Sequence, residues 1–307
     1  MKKIVALILM LALCLGATTA LTACGGADYT IGICQLMKHD ALDNATAGFI
    51  KAVEDEMAKV GKTVVFDTQV PGDSNLCATV IGAFTAKNVD LIMANATPAL
   101  AAAANATTTI PVLGTSVTDY NDTFKTGIPA NVSGTSDAVP FDEQAQMMID
   151  TLGLVAGDKV GVIYCTNESN SAYQYEQVKA YFESKGIVAD KYTFSETTEL
   201  QSVVTAAADA CKAIYVPSDN TVANNDSVVG TVCDQKNVPV YTSYPSTIAY
   251  ASLAIDYYTL GYETGKMAAN ILLNGKSASD FEVITIKPTT SYNEELCEKL
   301  GITVPAN

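Results

Sequence analysis

The chain has 307 residues, 49% of them hydrophobic and 17% charged, with a formal net charge of −15. All 18 basic residues are lysines, set against 33 carboxylates, and such a surface repels phosphate backbones and so argues against a nucleic-acid role. There is no Trp and one His, His39, which excludes a multi-histidine metal site, while the length suffices for two domains of ordinary size.

Lys2 and Lys3 precede an uncharged apolar run from Ile4 to Leu15, and small residues follow up to Cys24. That order is a secretory signal. LTAC at Leu21–Cys24 resembles a bacterial lipobox, which implies removal of residues 1–23, lipid on Cys24 and a short tether over 24–28. Cys14 fits less well, because Leu13 before it is too large and the apolar run would be cut short. An uncleaved anchor is the alternative, since residues 4–23 could just span a bilayer. Six cysteines follow: Cys34, Cys77, Cys165, Cys211, Cys233 and Cys297. None forms a CxxC pair or sits at zinc-ligand spacing. Cys34 and Cys165 read as buried thiols; an exported chain could oxidise Cys211 to Cys233, a pairing the sequence leaves open.

Strands then alternate with helices. Tyr29–Leu36 reads as a strand, and Ala41–Val60 carries Leu42, Ala45, Phe49, Val53, Met57 and Val60 at helical spacing, stopped by Gly61. Thr63–Gln69 is a predicted strand, Asn75–Lys87 a helix and Asp90–Ala94 a buried strand; Thr97-Pro98 opens an alanine helix, and Ile110–Gly114 closes the half. The pattern repeats: helix Asp142–Leu152, strand Lys159–Cys165, helix Ala172–Lys185, strand Ile187–Phe194, helix Glu199–Asp209, strand Lys212–Pro217, helix Val222–Lys236 and strand Val238–Thr242. A strand at Ser252–Asp256, a helix at Tyr258–Leu273, a strand at Glu282–Lys287 and a short helix near Glu294–Leu300 complete the chain. Alternation of this kind demands an α/β fold of two doubly wound lobes with parallel sheets and helices on both faces.

In such sheets ligands bind beyond the carboxyl ends of the strands. The loops there are Gln35–Asp43, Asn95–Pro98 and Ser116–Asp119 in the first half, and Thr166–Ser171, Ser218–Thr221 and Thr242–Ser246 in the second. Hydroxyls, amides and a few carboxylates dominate them. Helix-start N–H groups with the Thr97 or Ser171 hydroxyl can hold a carboxylate without arginine, and Asp219 is placed to hold an ammonium. Taken singly, each of these residues, Asp219 and Thr97 included, is equally an N-cap. His39 and Asp40 look like a dyad, yet no GxSxG elbow, GxGxxG or GKT/GKS loop supports catalysis, and no cofactor is implied.

The blocks IGICQLMKHDALDNATAGF, DLIMANATPALAAAANAT, IPVLGTSVTD, VGVIYCTNESNSAYQ, AIYVPSDNTV and IDYYTLGYETGKMA resemble substrate-binding lipoproteins of ABC importers, in particular the tryptophan/tyrosine transport group. The resemblance covers nearly the whole mature chain. It implies a type I periplasmic-binding-protein fold, a monomer with a three-strand hinge, one lobe over 29–138 plus 251–280 and the other over 139–250 plus 281–307. It also implies an amino-acid ligand, aromatic in character, a membrane permease as partner and an address outside the cytoplasmic membrane. Ligand contacts carry over to Gln35, Leu42, Thr97, Thr118, Asp119, Asn167, Ser169, Ser171, Asp219 and Asn220. The segment TSYPST at Thr242–Thr247 departs from the family's acidic, serine-rich stretch, and Tyr244 there is placed to stack on an aromatic ligand or to lie on the surface. A sugar or nucleoside binder of the same fold, and a sensory module for a membrane receptor, are the rival readings.

Overall fold

The computed structural model describes residues 26–305; the signal segment and Cys24 lie outside the described residues. The first lobe opens with β1 (Tyr29–Gln35), α1 (Asp40–Lys59), β2 (Val64–Gln69), α2 (Cys77–Lys87) and β3 (Leu91–Asn95). It continues through α3 (Thr97–Ala106), β4 (Val112–Val117), α4 (Tyr120–Thr123) and β5 (Val132–Ser136). The second lobe runs through α5 (Phe141–Leu152), β6 (Lys159–Cys165), α6 (Ser169–Ser184), β7 (Val188–Phe194), α7 (Leu200–Ala210) and β8 (Ala213–Val216). Two helices, α8 (Asn220–Ala223) and α9 (Asp226–Lys236), then lead to β9 (Val240–Thr242) and β10 (Ala251–Ala254). The chain ends with α10 (Tyr257–Asn274), β11 (Ile284–Thr285), β12 (Thr289–Tyr292) and α11 (Glu294–Leu300).

Each lobe holds a six-stranded sheet, ordered β11-β5-β4-β3-β1-β2 in the first and β12-β10-β9-β8-β6-β7 in the second. All pairings are parallel except β10 with β12. The central strands β1, β3, β6 and β8 are apolar on both sides, and their period of two sends alternate residues to opposite cores. In β1 and β3, Ile31, Ile33, Leu91 and Met93 face α1 and α10, whereas Cys34, Ile92 and Ala94 face α2 and α3. In β6 and β8, Val160, Val162, Ala213 and Tyr215 join the core under α5, α6 and α11, and Ile163, Cys165, Ile214 and Val216 join the one under α7 and α9. Doubly wound lobes follow directly from that alternation.

Three crossings join the lobes, at 137–140, 255–256 and 286–288. They move the expected lobe boundaries. Ala251–Ala254, assigned above to the first lobe, pairs with β9 and β12 in the second sheet. Of the segment 281–307, assigned wholly to the second lobe, β11 instead extends the first sheet beside β5. Helix α10 returns to the first lobe and lies against α1, where a Cβ on Gly261 would stand 1.8 Å from the Ala45 carbonyl oxygen and one on Gly48 2.1 Å from that of Tyr258. Only glycine permits this approach.

Local differences have equally local causes. The single helix expected over Val222–Lys236 is two, broken at Asn224 and Asn225, and the strand expected over Glu282–Lys287 narrows to Ile284–Thr285. Cys211 and Cys233 are both free thiols, and Cys211 Sγ lies 3.7 Å from the Tyr192 hydroxyl. Asp28 ties the start of the first lobe to Thr63 and Lys62, contacts that hold its carboxyl at about 2. Among the described residues no helix is long and apolar enough to cross a membrane.

Candidate functional site

The carboxyl ends of both sheets face one interlobe cleft, and the backbone there is strained. Among the described residues, four that are not glycine have left-handed φ. Asn88 and Asn237 cap α2 and α9, as asparagine readily does. The other two, Ala96 (φ 98°) and Ser116 (φ 54°), end β3 and β4 beside the cleft, Ser116 where the β4–β5 register slips. Held strain of this kind collects where a fold positions a functional group. Here it sets the turn into α3 and delivers the Ser116 side chain to the cavity.

Buried polar atoms normally find partners. Six buried side-chain atoms have none among the described residues: Asn95 Oδ1, Thr97 Oγ1, Ser116 Oγ, Asp137 Oδ1, Asn170 Oδ1 and the Tyr244 hydroxyl. Every one lies at or just beyond the carboxyl end of a strand: β3, β4 and β5 in the first lobe, β6 and β9 in the second. Ser116, Asp137 and Tyr244 line one narrow cavity, together with Leu42, His39, Asp219, Asn220 and Tyr257. Its free space amounts to about one water molecule. A wider outer cleft adjoins it and shares His39, Ala41, Ala223, Tyr244 and Tyr257.

Asp137 is the notable group. It sits in the first crossing, 5% exposed, and Oδ2 accepts a 3.0 Å hydrogen bond from the Tyr257 hydroxyl at the second crossing. Oδ1 has no partner. Burial raises its carboxyl above the ordinary range, against hydrogen bonding from Tyr257, Thr118 and the backbone. The Tyr244 hydroxyl is likewise raised by burial.

The residues singled out from sequence divide into three groups. Leu42, Asp219, Asn220 and Tyr244 line the cavity, and Thr97 and Ser171 are buried at the starts of α3 and α6. Tyr244 is buried and not on the surface. Thr118 and Asp119 meet the second lobe, Thr118 Oγ1 accepting from Gln174 Nε2 at 3.1 Å and Asp119 contacting the Tyr173 hydroxyl. Gln35, Asn167 and Ser169 do not line the cavity. Gln35 donates to the Met37 carbonyl and Asp43 and accepts from Thr46, so its amide is spent on holding the β1–α1 turn. Asn167 and Ser169 are exposed.

Asp219 requires a correction. The sequence placed it as an ammonium partner, but Oδ2 accepts from the Cys165 N–H and Oδ1 from the Val222 N–H, both at 2.8 Å, and Ser171 adds a third bond. Its carboxylate caps α8. Burial and the charge of Glu168 raise its pKa well above the usual range. Three site residues carried no sequence signal. Asp137 lay in an apparent linker, Glu168 stood beside a helix start, and Gln174 stood inside a polar helix. Glu168 is fully buried and accepts from the Asn220 and Thr221 N–H groups, Asn220 Nδ2 and the Thr221 hydroxyl at 2.6–2.9 Å. Gln174 also accepts from the Ser218 N–H and the Ser243 hydroxyl.

Two α/β lobes, three crossings and a polar enclosed cleft define a solute-binding protein. The family of ABC transporter substrate binding proteins matches residues 30–307, and the chain belongs to it. It is 34% identical over 283 residues to a tyrosine-binding protein of Clostridioides difficile (strain R20291), covering 89% of this chain and 81% of that one. Among solved structures, it resembles an ABC domain from Streptococcus pneumonia in complex with L-Trp at 30% identity and a TM-score of 0.79, covering 90% of this chain and 96% of that one. Against the ligand-free, open structure of a substrate binding protein with adhesive properties from Clostridium difficile, the identity is 33% and the TM-score 0.66, covering 91% and 97% of the two chains. Hydrogen bonds cross the cleft between the lobes, from His39 to Asn220 and from Gln174 to Thr118.

Proposed function

We propose that this protein captures an aromatic L-amino acid between its lobes and delivers it to the permease of an ABC importer. The observation that carries this reading is the set of six unpartnered buried polar atoms at the carboxyl ends of both sheets, three of which, on Ser116, Asp137 and Tyr244, belong to residues lining one interlobe cavity. Left unpaired, each such group costs roughly 1–3 kcal/mol, so a ligand that satisfies several of them favours the closed form strongly.

The roles follow from chemistry. Asp137 Oδ1 takes the ligand ammonium, a buried charge pair completed by Tyr257 on the other oxygen. The Ser116 and Thr97 hydroxyls, with the first N–H groups of the ten-residue helix α3, receive the carboxylate without any arginine. Leu42, Tyr244 and Tyr257 enclose the side chain, whose burial contributes roughly 2–3 kcal/mol. The cavity is too tight for an amino acid as the lobes stand, so binding begins in a more open form and the lining side chains spread around the ligand.

The relatives' tyrosine and L-Trp ligands support the aromatic class. Signal cleavage and lipidation at Cys24 would hold the protein on the outer face of the cytoplasmic membrane, beside its permease, and it performs no catalysis. The reading is tested by stripping any bound ligand through unfolding and refolding, then following melting temperature against each amino acid. A ligand at about 100 times its Kd adds about 2.7 kcal/mol, a shift of several degrees. Shifts with Trp, Tyr or Phe are expected; no shift with any amino acid would overturn the reading. For the anchor, labelled fatty acid should enter the wild-type chain in a bacterial host but not the Cys24→Ala variant.

A further inference from the structure

The single histidine of the chain stands where the two lobes meet. His39, in the turn between β1 and α1, places Nε2 3.2 Å from Asn220 Oδ1 at the start of α8 in the other lobe. The direction of this bond is fixed by its neighbours. Asn220 Nδ2 donates to Glu168 Oε2 at 2.6 Å, so the amide oxygen must face His39 and the imidazole must be the donor. Glu168 in turn is held by donors that all belong to the second lobe. The Asn220–Glu168 pair is therefore built before the lobes meet, and His39 is the part that arrives. His39 lines both the inner cavity and the outer cleft, so its ring forms part of the wall between them.

We propose that His39 and the Asn220–Glu168 pair form a latch across the mouth of the cavity, and that this hydrogen bond sets how long a bound ligand stays enclosed. The proposal rests on the site described above but adds a positioning residue that holds the lobes and leaves recognition to Asp137. Titration of the ring bears on it. The charged groups around His39 are Lys38, Asp40 and Asp43 on its own side, Glu168, Asp219 and Asp226 in the second lobe, Asp137 in the cavity and Asp256 at the second crossing. Burial disfavours the imidazolium more than the Asn220 hydrogen bond and the charges of Glu168, Asp43 and Asp40 favour it, so the closed form prefers the neutral ring. An open cleft returns the ring to water. Closure is then strongest above the ordinary imidazole range, near pH 6.5, and acid loosens it.

The absence of Trp from the chain supplies the probe, because the indole fluorescence of bound L-Trp belongs to the ligand alone. L-Trp would be loaded and chased with excess L-Tyr in a stopped-flow instrument between pH 5 and 8. Loss of one hydrogen bond predicts release roughly 2- to 10-fold faster in His39→Ala, and similarly in Asn220→Ala, with the double variant no faster than either. His39→Gln, whose amide can still donate to Asn220, should keep slow release and lose the acid acceleration seen in wild type. Wild-type release from His39→Ala, or an unchanged pH profile in His39→Gln, would overturn the latch. If wild type does not bind L-Trp, that result strikes the ligand assignment alone. Small-angle scattering of the ligand-free protein then decides the latch: a larger radius of gyration for His39→Ala supports it, and an equal one refutes it.

Discussion

Asp137 and Asp219 line the same cavity, one from the first crossing and one from the second lobe, and both are almost fully buried. Both carboxylate oxygens of Asp219 accept a backbone N–H, whereas Asp137 places Oδ2 on the Tyr257 hydroxyl and leaves Oδ1 without a partner among the described residues. Burial and a raised pKa are common to both. An unoccupied oxygen separates the carboxylate that is available to a ligand from the one that holds a helix. The same contrast runs across the cleft more widely: Glu168 and Gln35 are saturated by their own lobes, while Thr97, Ser116 and Tyr244 are not.

The contrast makes opposite demands on the two variants. Removing one partner of a buried charge pair costs roughly 2–5 kcal/mol, so Asp137→Asn should weaken amino-acid binding at least about 30-fold by calorimetry while the protein stays folded. Asp219→Ala orphans the Cys165 and Val222 N–H groups instead, and should lower stability by about 1–3 kcal/mol. Its melting temperature would drop by several degrees and its affinity by only a few-fold. A reversal of these two phenotypes would exchange the roles.

The site was less legible in the sequence than the fold. Long apolar strands and helices with a clean period announced both lobes. The polar strands β5 (VSGTS) and β12 (TTSY) did not: β5 is buried but built of small and hydroxyl residues, Thr135 meeting Thr264 of α10, and β12 is a largely exposed sheet edge. That omission hid Asp137, which becomes a cleft residue only once β5 brings the chain to the crossing. The prominence of Asp219 in sequence had the opposite defect: a carboxylate before a helix looks the same whether it caps or binds. Which donors surround it is settled by β6 ending beside α8, a tertiary fact.

The pH dependence should sharpen the comparison. The ligand ammonium needs the Asp137 carboxylate, so below the free-protein pKa of Asp137 binding must expel a proton, and affinity should fall about tenfold per pH unit. Because burial raises that pKa, the fall should begin above the ordinary carboxylate range and be absent from Asp137→Asn. Smallest of all is Tyr244→Phe. It removes a buried hydroxyl with no partner among the described residues, so it should raise the melting temperature of the ligand-free protein while lowering affinity about threefold, the scale of a weak neutral hydrogen bond.

The most direct test of the central claim is a calorimetric titration of ligand-stripped wild type and Asp137→Asn with L-Trp, L-Tyr and L-Phe at pH 7.5. Binding to wild type of at least one of the three, weakened 30-fold or more in a folded variant, is the predicted result. Equal affinities in the two proteins would contradict the account, because the unpaired oxygen of Asp137 would then have no part in holding the ligand.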